Sequence, residues 1–259
     1  LDRKITETFR HKLLRDRNNA LRKADQVTTI SPWHVEKLQA YNPNTELVYN
    51  GYDPELFYPE QHRTSQFVIT YTGRFISLAT RDPRLLCEAV SRLDREKLID
   101  PDQFRIQWYV DAGSKAIIMQ AATAYPVARY MDFFDYVPAS EIPGVLNRSS
   151  ILLQLANTFA SDGPKGFMTT KLFESMAVGK PLLCVKSDES CLEATIRNTR
   201  SGLAARTAEE AFRFILHHYQ FWQDNGYTHI NTDKEAVERF SRKKQAEQFM
   251  RIFTRLNSK

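Results

Sequence analysis

No apolar run of this 259-residue chain approaches the ~20 residues that span a bilayer, and no cationic-then-apolar leader opens it. These absences predict a cytoplasmic protein. The chain starts at Leu1 and not at Met, which predicts a piece of a longer protein. Cysteine is scarce. Cys87, Cys184 and Cys191 show no metal-type spacing and are expected as reduced structural thiols. Of six histidines, His11, His34, His62, His217, His218 and His229, none pairs with a carboxylate or cysteine at ligand spacing. All six are expected at the surface. His217 and His218 would point about 100° apart on a helix, so only one could join a site. There is no Ser-His-Asp signature, no Walker-type phosphate loop, no Gly-x-Gly-x-x-Gly, no internal repeat and no low-complexity tract.

What is present is enough apolar chain, 42% hydrophobic, for one large or two smaller domains. The formal charge of +5 is unevenly spread. Residues 1–23 and 234–259 each carry 8 Lys/Arg against 3 Asp/Glu, while the middle carries 20 against 25. That argues against a nucleic-acid face in the central fold. The basic ends read either as solvated helix faces or as contacts with anionic lipid or a phosphate-rich partner.

Residues 3–23 have a helical apolar period among basic residues. Residues 26–30 and 46–49 are short strands. Between them Ser31-Pro32 starts a helix that runs to about Tyr41. Residues 52–65, rich in Pro, Asp and Glu, read as a linker. Strands are then expected at 67–71, 104–110, 131–136, 150–155, 181–185 and 202–205. Helices are expected at 82–93, 114–124, 140–147 (capped by Ser140), after 166, at 189–197, at 208–222 and as a single helix over 234–256. Alternating apolar strands and helices predict an α/β fold: a parallel sheet with helices on both faces, plus terminal helices. Such sheets bind ligands at the carboxyl ends of their strands, which here are the loops after Tyr71, Val110, Tyr136 and Leu155.

The segment from Gly166 to Val185 carries the most chemistry: a glycine-led loop, a short helix and a buried strand. A helix start offers unpaired N–H groups and partial positive charge to a phosphate. Thr169 and Thr170 stand at that start, as N-cap or as phosphate contact. Lys171 and Glu174 lie i,i+3 on one face, and Glu174 suits sugar hydroxyls. Thr72-Gly73-Arg74 follows a strand directly. Arg74, Arg81, Lys171 and Lys165 fall on loops at one edge, either as ordinary surface charges or as a set that neutralises a diphosphate.

Lys171-Leu-Phe-Glu-Ser-Met-Ala-Val-Gly-Lys-Pro181 resembles the signature of retaining glycosyltransferases of family 4 and their relatives with the GT-B fold. In the same order, residues 24–31 resemble the last strand of that family's acceptor domain. Tyr49-Asn-Gly-Tyr-Asp53, with Phe57 and Pro59, resembles the entry to its donor domain. Tyr71-Thr-Gly-Arg74 and Arg81-Asp-Pro83 resemble its diphosphate loop, and Tyr136-Val-Pro138 the loop beside the nucleobase. The likeness covers roughly residues 24 to 255.

The resemblance implies the Rossmann-like C-terminal half of a GT-B fold. Residues 1–60 would be a remnant of the N-terminal acceptor domain and a linker, 61–233 the donor domain, and 234–259 a crossover helix. It implies transfer of a sugar, with retention, from a UDP- or GDP-linked donor to a glycan or lipid-linked acceptor in surface polysaccharide synthesis. The work would be cytoplasmic, with peripheral contact at the inner membrane face, no cofactor, no required metal and no nucleic-acid partner. Arg74 and Lys171 would be catalytic. Gly73, Arg74, Arg81, Val137, Gly166, Phe167, Thr169, Thr170, Lys171 and Glu174 would bind the donor, with Glu174 on the ribose and the Val137 backbone on the base. Two departures stand out. Gly166 occupies a position where many members have a second glutamate, and most of the acceptor domain is missing. A non-catalytic nucleotide or sugar-phosphate binding module of the same fold is the alternative reading.

Overall fold

A computed structural model describes residues 6–75, 77–157, 166 and 168–258. The chain begins with α1 (Glu7–Lys23), β1 (Val27–Thr29), α2 (Pro32–Gln39) and β2 (Thr45–Leu47). The Ser31 hydroxyl caps α2 by accepting from His34 N, and Pro32 needs no donor at the first helical position. β1 and β2 pair in parallel. Buried Asn42 ties this unit together: its amide donates to the carbonyls of Leu21 and Ala24 at the end of α1, and its oxygen accepts from Asn44 N.

A second, six-stranded parallel sheet follows, built from β3 (Phe67–Thr72), β4 (Phe104–Tyr109), β5 (Met131–Phe134), β6 (Ile151–Leu155), β7 (Leu182–Val185) and β8 (Gly202–Ala205). Its strand order is β5-β4-β3-β6-β7-β8. The central strands β6 and β7 are buried at every residue, as apolar runs covered on both faces must be. Alternate residues feed two separate cores. Leu183 and Val185 join α3 (Arg84–Arg95), α4 (Ala112–Ala122) and α8 (Ala208–Asn225) in one. Leu182 and Cys184 join α6 (Thr170–Ala177) and α7 (Cys191–Asn198) in the other, beside the end of α5 (Ile142–Asn147).

Three expectations are corrected. The helix over 234–256 is two helices, α9 (Lys234–Glu238) and α10 (Arg242–Asn257). At the break, Tyr52 N donates to Phe240 O and Arg242 N donates to Tyr52 O, so a passing strand segment takes the backbone groups a continuous helix would have used. Ser241 then caps α10. Residues 53–65 hold no helix or strand, and Tyr52 and Phe57 anchor this segment in the second core. Ser140 lies in a 3₁₀ turn (Ala139–Glu141) and caps nothing; α5 begins after it. Not every histidine is at the surface: His218 is buried on α8, where desolvation and then the neighbouring His217 push its pKa down to about 4. His62 also lies 3.0 Å from a Glu60 carboxylate oxygen.

Cys87 and Cys184 are buried free thiols, both raised mainly by burial, and Cys191 is half-buried and free. Among the described residues no helix is long and apolar enough to cross a membrane.

Candidate functional site

The chain winds from β3 outward through β4 and β5, then returns to β6 and winds the other way. In open parallel sheets such a reversal of winding marks the ligand crevice, here at the carboxyl ends of β3 and β6. Gly73 ends β3 there with φ +146°, a region that side chains rarely adopt. A methyl group at Gly73 would stand 2.0 Å from Lys171 Nζ, so the lysine ammonium lies directly against the bare glycine. Arg81 links the ends of the paired strands β3 and β6. Its Nε donates to Asn157 Oδ1 beyond β6 at 2.8 Å, and its Nη1 donates to the Tyr71 hydroxyl at 3.3 Å and to the Arg74 carbonyl.

α6 starts on this crevice. Thr169 holds the N-cap position with extended dihedrals, yet its hydroxyl makes no cap bond and is buried without a hydrogen-bond partner among the described residues. A side-chain cap normally satisfies one of the first free N–H groups, so here both the hydroxyl and those donors remain available. The Lys171 pKa is pushed down to about 8, first by burial and then by the Arg81 charge, with Glu174 opposing. Burial raises the Glu174 carboxyl, while Lys171 and Arg242 draw it back. Arg242 comes from the start of α10. With Asn50, Thr170 and Gln245 it lines a cleft of about 240 Å³ where β1, β2, α6 and α10 meet. Asn50 also donates to the Met168 carbonyl at 3.4 Å, just ahead of α6.

Gly73, Arg81 and Lys171 thus share one knot, with Thr169, Thr170 and Glu174 on the adjoining turns of α6. Arg74 does not join it by side chain. Its exposed guanidinium pairs with Asp111 Oδ2 at 3.5 Å, beyond β4. Asp111 also accepts from Ser114 N at 2.7 Å and from the Tyr136 hydroxyl at 3.2 Å. These bonds, the Ser114 N–H first, hold its carboxyl below the usual range. Val137 is half-buried on the loop after β5, two strands from the crevice.

Gly166 has φ +64°, and a Cβ there would meet Cys191 Sγ at 2.8 Å. This backbone is folded against α7 in a way that excludes a side chain, so Gly166 is more than a missing acid. Phe167 and Lys165 lie outside the described residues. Sequence reasoning missed the support of Asn157 and Arg242, took Tyr71 only as part of the diphosphate-loop likeness and read Asp111 as a weak signal. That signal is a carboxylate after a strand and three residues before a helical N–H. Chemically, half-buried cations beside a glycine and an uncapped helix start are groups that can hold a polyanion. Among the described residues no three His, Cys, Asp or Glu side chains gather as metal ligands.

No protein-family model matches the sequence, and no curated protein matches it significantly. Solved structures do resemble it. Sucrose-phosphate synthase of Thermosynechococcus elongatus aligns with TM-score 0.62 and 16% identity, over 96% of this chain and 62% of that one. HepE of Anabaena, solved with UDP-glucose, aligns with TM-score 0.67 and 17% identity, over 96% and 69%. A glycosyltransferase of Rickettsia africae aligns with TM-score 0.64 and 16% identity, over 97% and 67%. The chain thus spans about two thirds of the length of these proteins. Its six-stranded parallel sheet, with helices on both faces and the crevice at the carboxyl ends of β3 and β6, is the Rossmann-like fold of the C-terminal half of GT-B glycosyltransferases.

Proposed function

We propose that the chain is the donor-binding part of a retaining glycosyltransferase, which takes a sugar from a UDP- or GDP-linked donor and passes it to a glycan or lipid-linked acceptor in surface polysaccharide synthesis. The observation that carries this reading is the knot of Gly73, Arg81 and Lys171 at the uncapped start of α6. The complex of HepE with UDP-glucose supports it by fold. In this reading the diphosphate lies across Gly73 and the α6 N–H groups. Lys171 and Arg81 neutralise it, and Arg74 leaves Asp111 to do the same. The Thr169 and Thr170 hydroxyls complete the seat.

Glu174 accepts from the ribose hydroxyls, and the Val137 backbone meets the base. Fixed cations and helix donors stabilise the departing diphosphate, so no divalent metal is required. The likeness to retaining enzymes is the support for retention. The acceptor would enter by the cleft that β1, β2 and α10 share with Thr170. The setting is cytoplasmic. The solvated basic face of α1, with Phe9 and Leu13 exposed, is where an anionic membrane surface would meet it.

Calorimetric titration with UDP, GDP and ADP tests the reading. One nucleotide should bind, and Glu174→Ala and Arg74→Ala should each weaken it by about 1–3 kcal/mol, the range for a lost charged hydrogen bond. Unchanged affinity in both variants would sink the assignment.

A further inference from the structure

Lys180 is a lysine the donor reading does not use. It follows α6 and precedes β7, at the amino-terminal edge of the sheet, opposite the crevice. It is only 4% exposed. Among the described residues it has neither a hydrogen bond nor an ion pair. Its stem is buried, while its ammonium keeps contact with solvent and has no acceptor among the described residues. Burial alone lowers its pKa.

Lys180 lines a cavity of about 390 Å³, within the range of small-molecule pockets. Pro59, Val178 and Ile230 supply apolar wall, and Lys234 and His229 stand on the same rim. One carboxylate, Glu60, also lines the cavity, but its partner is His62 and not Lys180. The walls are braced. Asn147 accepts from Glu60 N at 2.9 Å and donates to Tyr58 O at 3.1 Å. Thr228 donates to Ser150 O at 2.6 Å, and His229 bonds Asn231 Oδ1 at 2.8 Å. A braced cavity, lined by a lysine whose ammonium no described residue pairs, suits an anion.

We propose that this cavity is a second ligand site, which takes a small metabolite through a carboxylate or phosphate group paired with Lys180. Apolar walls at Pro59, Val178 and Ile230 accommodate the ligand's body. The site is about a sheet's depth from the donor crevice and does not rest on the donor reading.

Thermal unfolding with inorganic phosphate, glycerol 3-phosphate and malate tests this on the wild-type chain and on Lys171→Met, Lys180→Met and Ile230→Trp. At saturation, at least one anion should raise Tm by about 3 °C or more in wild type and in Lys171→Met, because it binds only the folded state. Malate alone would assign a carboxylate, and the phosphates alone a phosphate group. The rise should vanish in Lys180→Met, whose Tm without anion should equal or exceed that of wild type once the unpaired charge is gone. Should Lys180→Met not fold, Ile230→Trp decides, since it fills the cavity and keeps the lysine. No rise in wild type, a rise that persists in Lys180→Met, or a rise lost in Lys171→Met would overturn the proposal. UDP, GDP and ADP report separately on the donor reading.

Discussion

Two glycines and one lysine govern the candidate site at the residue scale. Gly73 gives Lys171 a place no other residue would leave open, and Gly166 gives Cys191 the same. The Lys171 ammonium is the most informative titrating group. Its folded pKa of about 8 lies below its ordinary value of 10.5. Below pH 8 both folded and unfolded chains hold the proton, and the buried charge costs stability. Between 8 and 10.5 the unfolded chain holds it more, so this group's contribution to stability rises with pH. Diphosphate binding runs the other way, because it needs the charged form. Affinity for the bound nucleotide should fall by about tenfold between pH 7 and 9, one unit above that pKa. In Lys171→Arg that step should disappear, since arginine stays charged. Calorimetry across that range checks both, and a flat wild-type profile would remove Lys171 from the phosphate site.

At the element scale, the start of α4 organises more than its own helix. Asp111 caps it through Ser114 N, and Ser114 Oγ in turn accepts from Phe75 N at 2.8 Å, which ties the loop after β3 to α4. Asp111 also anchors Arg74. Asp111→Ala should therefore destabilise the chain by about 0.5–2 kcal/mol in urea unfolding, the usual worth of a helix cap. Under the proposed function it should leave Arg74 freer to meet a diphosphate, so nucleotide affinity should hold or rise while stability falls. A parallel loss of both would make Asp111 part of the ligand contact. The break between α9 and α10 is the other lesson at this scale. Apolar periodicity runs through residues 234–256, but Tyr52, almost two hundred positions earlier, claims the backbone at the break.

Among the described residues two cores hold the six-stranded sheet, one on each face. The second core joins distant pieces of chain. Phe173 of α6 packs tilted against Phe240 with centroids 4.9 Å apart and meets Tyr49 at 6.4 Å, so the residues around β2, α6 and the C-terminal segment share one aromatic cluster. Phe173→Ala should cost about 3–5 kcal/mol, as a large buried ring does. Phe253→Ala, at a 54% exposed position on α10, should stay within about 0.5 kcal/mol. Urea unfolding distinguishes them, and equal effects would mean that the cluster does not join these segments.

Local patterning determined by itself the α/β alternation, all six strands of the large sheet and the helix start at Thr169–Thr170. Those signals are local: strand and helix periods, a proline at a first turn, a glycine after a strand. Only the tertiary structure decided which cations face each other. Arg81 turned inward to Asn157 and Tyr71, and Arg74 outward to Asp111, although both arginines read alike in sequence. It also decided that Gly166 packs on Cys191, that Tyr52 splits the last helix and that the stem of Lys180 is buried beside a cavity. The reason is physical: each of these depends on an atom brought near by the chain's return through the sheet, and no periodicity along the chain encodes that distance.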